Sequence, residues 1–130
     1  MKRNYIVTAV LVGFIFLGAC TKEHKDLPAG FRYEPPPTPE DLEVDGSAET
    51  ATLTWNYPEE SRGPVQFRVY TELEFYGLLY IDTTEDTFYI HSQLIGNNWY
   101  CYKVSAVDTV IGLEGWRTDT VCEFVPSASD

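Results

Sequence analysis

From Leu42 onward, apolar side chains recur at every second position, and no stretch keeps a helical period. Ala51, Leu53 and Trp55 alternate with threonines; Val65, Phe67 and Val69 do the same; Tyr100, Tyr102, Val104 and Ala106 form the longest such run. A period of two places one set of side chains on one face of an extended strand, so each segment has a single face to bury. Shorter pieces fit the same pattern: "GLLYID" after Gly77, "TTEDTFYIH" with Phe88 and Ile90 on one face, and "RTDTVCEFV" near the end. Turn-rich breaks such as "YPEESRGP" separate them. Many short strands at regular spacing predict an all-β, two-sheet antiparallel sandwich or a barrel. An aromatic content of 15% supplies the large side chains that so small a core needs.

The first nineteen residues follow a different rule. Lys2 and Arg3 precede an apolar run from Tyr5 to Leu17, which ends in Gly18, Ala19 and Cys20. Three explanations compete for that border. A spanning helix needs about 20 apolar residues, and this run is shorter, with no basic cluster after it. A core strand of that length would be long and would alternate. A positive start, an apolar middle and small residues before a cut are the parts of an export signal.

Leu17-Gly18-Ala19-Cys20 resembles the lipobox of bacterial lipoproteins. The resemblance implies a signal peptide over 1–19, cleavage before Cys20, a diacylglycerol on its thiol and a fatty acyl group, such as palmitate, on its amine. Two or more acyl chains hold a protein on a membrane firmly, so this chain is expected to be anchored by lipid without a transmembrane helix. Thr21 stands where enterobacterial lipoproteins kept in the inner membrane carry Asp. That favours the outer membrane and leaves the face of the cell envelope open. Residues 20–39 then form a polar and proline-rich tether ending in Pro35-Pro36-Pro37-Thr38-Pro39, a composition that favours extended polyproline II. With Cys20 spent on lipid, Cys101 and Cys122 remain as an even pair in a compartment where disulfides persist, and a bond between them is expected over two free thiols.

Residues 40–126 resemble a fibronectin type III domain, with 127–130 as a short tail. Pro39 and Leu42 match the family's opening, and Leu53 with Trp55 its second-strand core pair. Leu94, Tyr100, Val104, Ala106 and Val107 match the pattern around strand F of that family, while Gly96 and Asn98 replace its Pro and Thr. The resemblance implies an immunoglobulin-like sandwich in which Trp55, Leu94 and Tyr100 are structural and the Tyr100 hydroxyl bonds backbone upstream. Alternation places Cys101 outward. The parity of Cys122 stays open, since Val121 and Val125 facing inward would carry Glu123 inward too, unless a bulge intervenes.

Chemistry is sparse in this sequence. There are two histidines, His24 in the tether and His91 beside Ser92, and neither forms a catalytic constellation. The acidic pairs Glu40-Asp41, Glu59-Glu60 and Glu85-Asp86 fall where turns are expected. Residues 82–87 are the best calcium candidate, and no zinc, phosphate or dinucleotide spacing occurs. No enzyme, metal or cofactor is expected. The net charge of −11 becomes −13 once the leader takes Lys2 and Arg3 away, which argues against nucleic acid and against a polybasic contact with anionic lipid. What remains is surface. Tyr70, Phe75, Tyr76 and Trp116 are the candidate interface, with Trp116 in an apolar connection, "TVIGLEGW". The expected role is a non-catalytic protein-interaction or scaffold module with an envelope protein as partner. The alternative is a carbohydrate-binding module whose rings stack on a glycan.

Overall fold

The computed structural model describes residues 34–58 and 64–129. The leader, Cys20, His24 and the Glu59-Glu60 pair lie outside the described residues. Seven strands follow in order: β1 Glu40–Ser47, β2 Thr50–Asn56, β3 Val65–Leu73, β4 Gly77–Thr84, β5 Phe88–His91, β6 Asn98–Asp108 and β7 Val121–Val125. They form two antiparallel sheets, β1-β2-β5 and β4-β3-β6-β7. The fold is therefore a sandwich and not a closed barrel.

The alternating residues meet between the sheets. Ala51, Leu53 and Trp55 of β2 face Phe67 and Val69 of β3 and Tyr102, Val104 and Ala106 of β6, and Val44 and Val125 complete the core. Trp55 stands edge-on to Phe67 at 5.3 Å between ring centroids, and Tyr57 does the same at 5.0 Å. Burying an aliphatic side chain of the size of Leu53 or Val104 stabilises the fold by about 1.5–3 kcal/mol. Leu94 and Tyr100 are half-buried, packed against this core and not within it. The Tyr100 hydroxyl donates to the Ile95 carbonyl at 2.8 Å, the upstream contact that the resemblance implies.

The face shared by Phe88 and Ile90 is the solvent face. Their neighbours Tyr89 and His91 turn inward, and the His91 ring stands edge-on to Tyr102, with Nδ1 2.9 Å from its hydroxyl. The short β5 thus closes this side of the sandwich with an aromatic ring and an imidazole.

The strand edges are closed by close approach. Gly46 of β1 lies against β7 of the other sheet, and a Cβ there would sit 2.1 Å from the Phe124 carbonyl oxygen. Gly96 serves the chain after β7 in the same way, with Ser127 Cα 2.4 Å from the position of a Cβ. The Gly that replaces the family's Pro at 96 thus makes room for that segment. The end of the proline-rich stretch belongs to this unit as well: Pro39 is buried, and the Pro36 carbonyl oxygen lies 2.2 Å from where a Gly115 Cβ would be. Docking of the chain therefore begins before residue 40, the boundary expected from composition.

Gly46→Ala is expected to force β1 away from β7 and to destabilise the domain by about 1–3 kcal/mol, the usual cost of overpacking. An unchanged urea midpoint for this variant would show that the two edge strands are not in contact.

Candidate functional site

The outer face of the four-stranded sheet holds most of the chemistry. In the β6–β7 register Cys101 stands opposite Cys122, and the two form a disulfide with their Cα atoms 4.0 Å apart. The pairing runs without a bulge, so Glu123 does share the inner side with Val121 and Val125. It is half-buried at the rim and accepts the Phe124 N–H. Its side chain reaches the space beside Gly46. Closing a loop of 21 residues is worth about 3 kcal/mol on the chain-entropy model.

Further along the same face lies a polar cluster that no motif announces. Glu114, in the segment running back along β6, accepts from Tyr70 Oη, from Ser105 Oγ at 2.6 Å and from Arg68 Nη1 at 3.0 Å. Arg117 Nε is 3.8 Å from the same carboxylate, and its guanidinium lies 4.5 Å over the Tyr70 ring. Burial pushes the Glu114 carboxyl up, but donation by Ser105 and Tyr70 and the charges of Arg117 and Arg68 outweigh it and hold the group below its ordinary value. The cluster is a clasp: it fastens residues 114–117 over the sheet.

That clasp corrects the candidate interface. Tyr70 does point outward, yet only 6% of it is exposed, because Glu114 and Arg117 cover it. Phe75, Tyr76 and Trp116 are 86%, 87% and 80% exposed. They do not form one surface. Phe75 and Tyr76 sit in the β3–β4 turn, next to the start of β6, because Glu72 pairs with Cys101. Trp116 belongs to the segment bonded to Ala106 and Val104. At ~3.4 Å per residue along β6, the two lie roughly 20 Å apart.

Two aromatics missed in the sequence join the first group. Trp99 is 68% exposed and packs edge-on against Phe124, centroids 5.8 Å apart, on the outer face beyond the disulfide. Ile95 is exposed in the preceding connection. Parity held the signal: Trp99 is two residues from outward Cys101, and Phe124 two from Cys122. One end of the sheet thus presents Phe75, Tyr76, Trp99 and Phe124, bordered by exposed Glu72 and Glu74. In the calcium candidate at 82–87, Asp82 accepts from Thr83 N–H and Tyr89 Oη, and Glu85 accepts from Gln66 Nε2. Among the described residues no three His, Cys, Asp or Glu converge as metal ligands.

This two-sheet arrangement, three strands against four, defines a fibronectin type III fold. Among solved structures, the chain is similar to a fibronectin type III domain of human fibronectin type III domain containing protein 3, with a TM-score of 0.65 and 18% identity over 77% of this chain and 94% of that one. The sixth such domain of the same human protein gives 0.60 and 20% identity, covering 76% and 93%. The twitchin kinase region from C. elegans gives 0.64 and 13% identity, over 75% of this chain and 18% of that one. No protein-family model and no curated protein matches the chain.

Acid is expected to weaken the domain in two ranges. Burial holds the His91 imidazole below its ordinary 6.5, so its contribution is whole above that pH and is lost as pH falls through the folded value. Glu114 behaves likewise below 4.5. In urea titrations across pH, His91→Gln should flatten the upper step and Glu114→Gln the lower one. Parallel curves for wild type and variants would show that neither group is linked to folding.

Proposed function

We propose that this is a lipid-anchored cell-envelope lipoprotein whose fibronectin type III domain acts, without catalysis, as a protein-interaction or scaffold module. The fold supports a module of that general kind. The leader ending in Leu17-Gly18-Ala19-Cys20 supports the anchor, and Thr21 favours the outer membrane. The observation that carries the reading is the aromatic end formed by Phe75, Tyr76, Trp99 and Phe124. Exposed Trp and Tyr clusters of this kind are where interface energy concentrates.

Position adds to the argument. β1 runs from the tether towards β7, with Gly46 against Phe124, so the aromatic end lies at the far end of the sandwich from the point where the chain enters. An anchored domain would hold this end out towards other envelope components. The acidic border of Glu72 and Glu74 fits a protein partner that offers an apolar patch flanked by Lys or Arg. The glycan alternative keeps Phe75 and Tyr76 but loses Tyr70, which is covered, and Trp116, which stands away from them.

Intact mass of the mature protein should begin at an acylated Cys20, and Cys20→Ser should release the domain from membranes. A photo-crosslinker at position 76 in native envelopes should give one protein adduct. Trp99→Ser and Phe75→Ser should remove that adduct while leaving the circular dichroism unchanged. An adduct insensitive to both substitutions would refute this surface as the interaction site.

A further inference from the structure

We propose that the entry end of the sandwich is a bilayer-contact surface, in which Val110, Ile111 and Trp116 seat in the head-group layer of the membrane that holds Cys20. The inference rests on the lipid anchor proposed above. It concerns the end opposite to the aromatic cluster and needs no protein partner.

The first argument is where the chain arrives. Pro36 lies against Gly115, immediately before Trp116, and Glu34 begins the compact unit. About 14 residues separate Cys20 from Glu34, a reach of at most about 50 Å when fully extended. An acylated Cys20 therefore tethers this end to the lipid surface within that reach, and a tethered site needs less intrinsic affinity to stay engaged than a free one.

The second argument is what that end exposes. Val110, Ile111 and Trp116 are exposed, although the first two are branched aliphatics and the third is the largest apolar side chain. The turn that carries Val110 and Ile111 is already ordered. Asp108 Oδ1 accepts their N–H groups at 2.8 and 3.2 Å, Gly112 N–H bonds the Asp108 carbonyl at 2.8 Å, and Gly112 takes a φ of 70° that favours glycine. Seating these side chains in lipid thus costs little ordering of the loop. Trp116 has the amphipathic ring that concentrates at membrane–water interfaces.

The third argument is charge, which selects the kind of lipid. Glu40, Asp41, Glu85 and Asp86 stand at the same end, while Arg68 and Arg117 are engaged by Glu114. An acidic end gains nothing from anionic head groups. The contact is an apolar one, suited to zwitterionic lipid.

The three tryptophans make this testable, since Trp55 is buried and Trp99 is at the opposite end. The full-length acylated protein, its Cys20 mass verified, is reconstituted into phosphatidylcholine vesicles with brominated acyl chains, and tryptophan emission is recorded. Wild type and Trp99→Phe should be quenched. Trp116→Phe should lose most of the quenching, and Val110→Ser with Ile111→Ser should reduce it while leaving the fold intact. Vesicle-bound, acylated protein that shows no quenching, or equal quenching in Trp116→Phe, overturns the bilayer contact and leaves the anchor standing. A Cys20 without acyl groups removes both, and the mass measured on the same sample tells the two failures apart.

Discussion

The antiparallel pairing of β3 with β6 governs this molecule. Its register runs from Val65 opposite Asp108 to Glu72 opposite Cys101 without a break. That register commits Phe67 and Val69 to the same side as Tyr102, Val104 and Ala106, and it is this shared apolar side that the three-stranded sheet covers. Hydrophobic burial scales with apolar area removed from water, and a one-residue slip would turn the whole set outward. The same pairing decides which connections are neighbours. Because the strands are antiparallel, the end of β3 adjoins the start of β6, so the β3–β4 turn lies at the Trp99 end of the sheet and away from the connection after Asp108.

The two ends of the sandwich consequently differ in character. One receives the chain, carries the ordered turn of Val110 and Ile111, and has Trp116 beside the docked proline stretch. The other has no chain entry and gathers aromatic rings around the Trp99–Phe124 pair. Between them, the disulfide and the Glu114 clasp fix the return segment to the sheet. They act by different physics. The disulfide restricts the unfolded chain. The clasp depends on charge-assisted hydrogen bonds in a half-buried setting, where a carboxylate with several donors is stronger than an exposed ion pair. A domain built this way separates its two surfaces by the length of its strands.

Much of this was legible from alternation alone. The inward sets on β2, β3 and β6 and the outward place of Cys101 follow from a period of two, whereas the upstream contact of Tyr100 is what the family resemblance implies. Where the strand is short or bulged, the pattern carried less. Phe88 and Ile90 share a face, but β5 is too short to show from its own residues which side is the core. Tyr70 was legible as outward and not as covered, because its cover comes from Glu114 and Arg117, more than forty positions along the chain.

The sequence by itself determined an all-β architecture and the inward residue of each pair in its long strands, since strand geometry makes neighbours alternate whatever surrounds them, and it left sandwich against barrel to the strand pairing. Only the tertiary structure decided which outward residues are exposed, which connections share an end, and that Cys101 and Cys122 stand directly opposite each other. Those outcomes depend on pairings between distant segments, and the physical reason is plain: a side chain's orientation is a local property of its strand, whereas its exposure depends on what the rest of the chain brings to lie upon it.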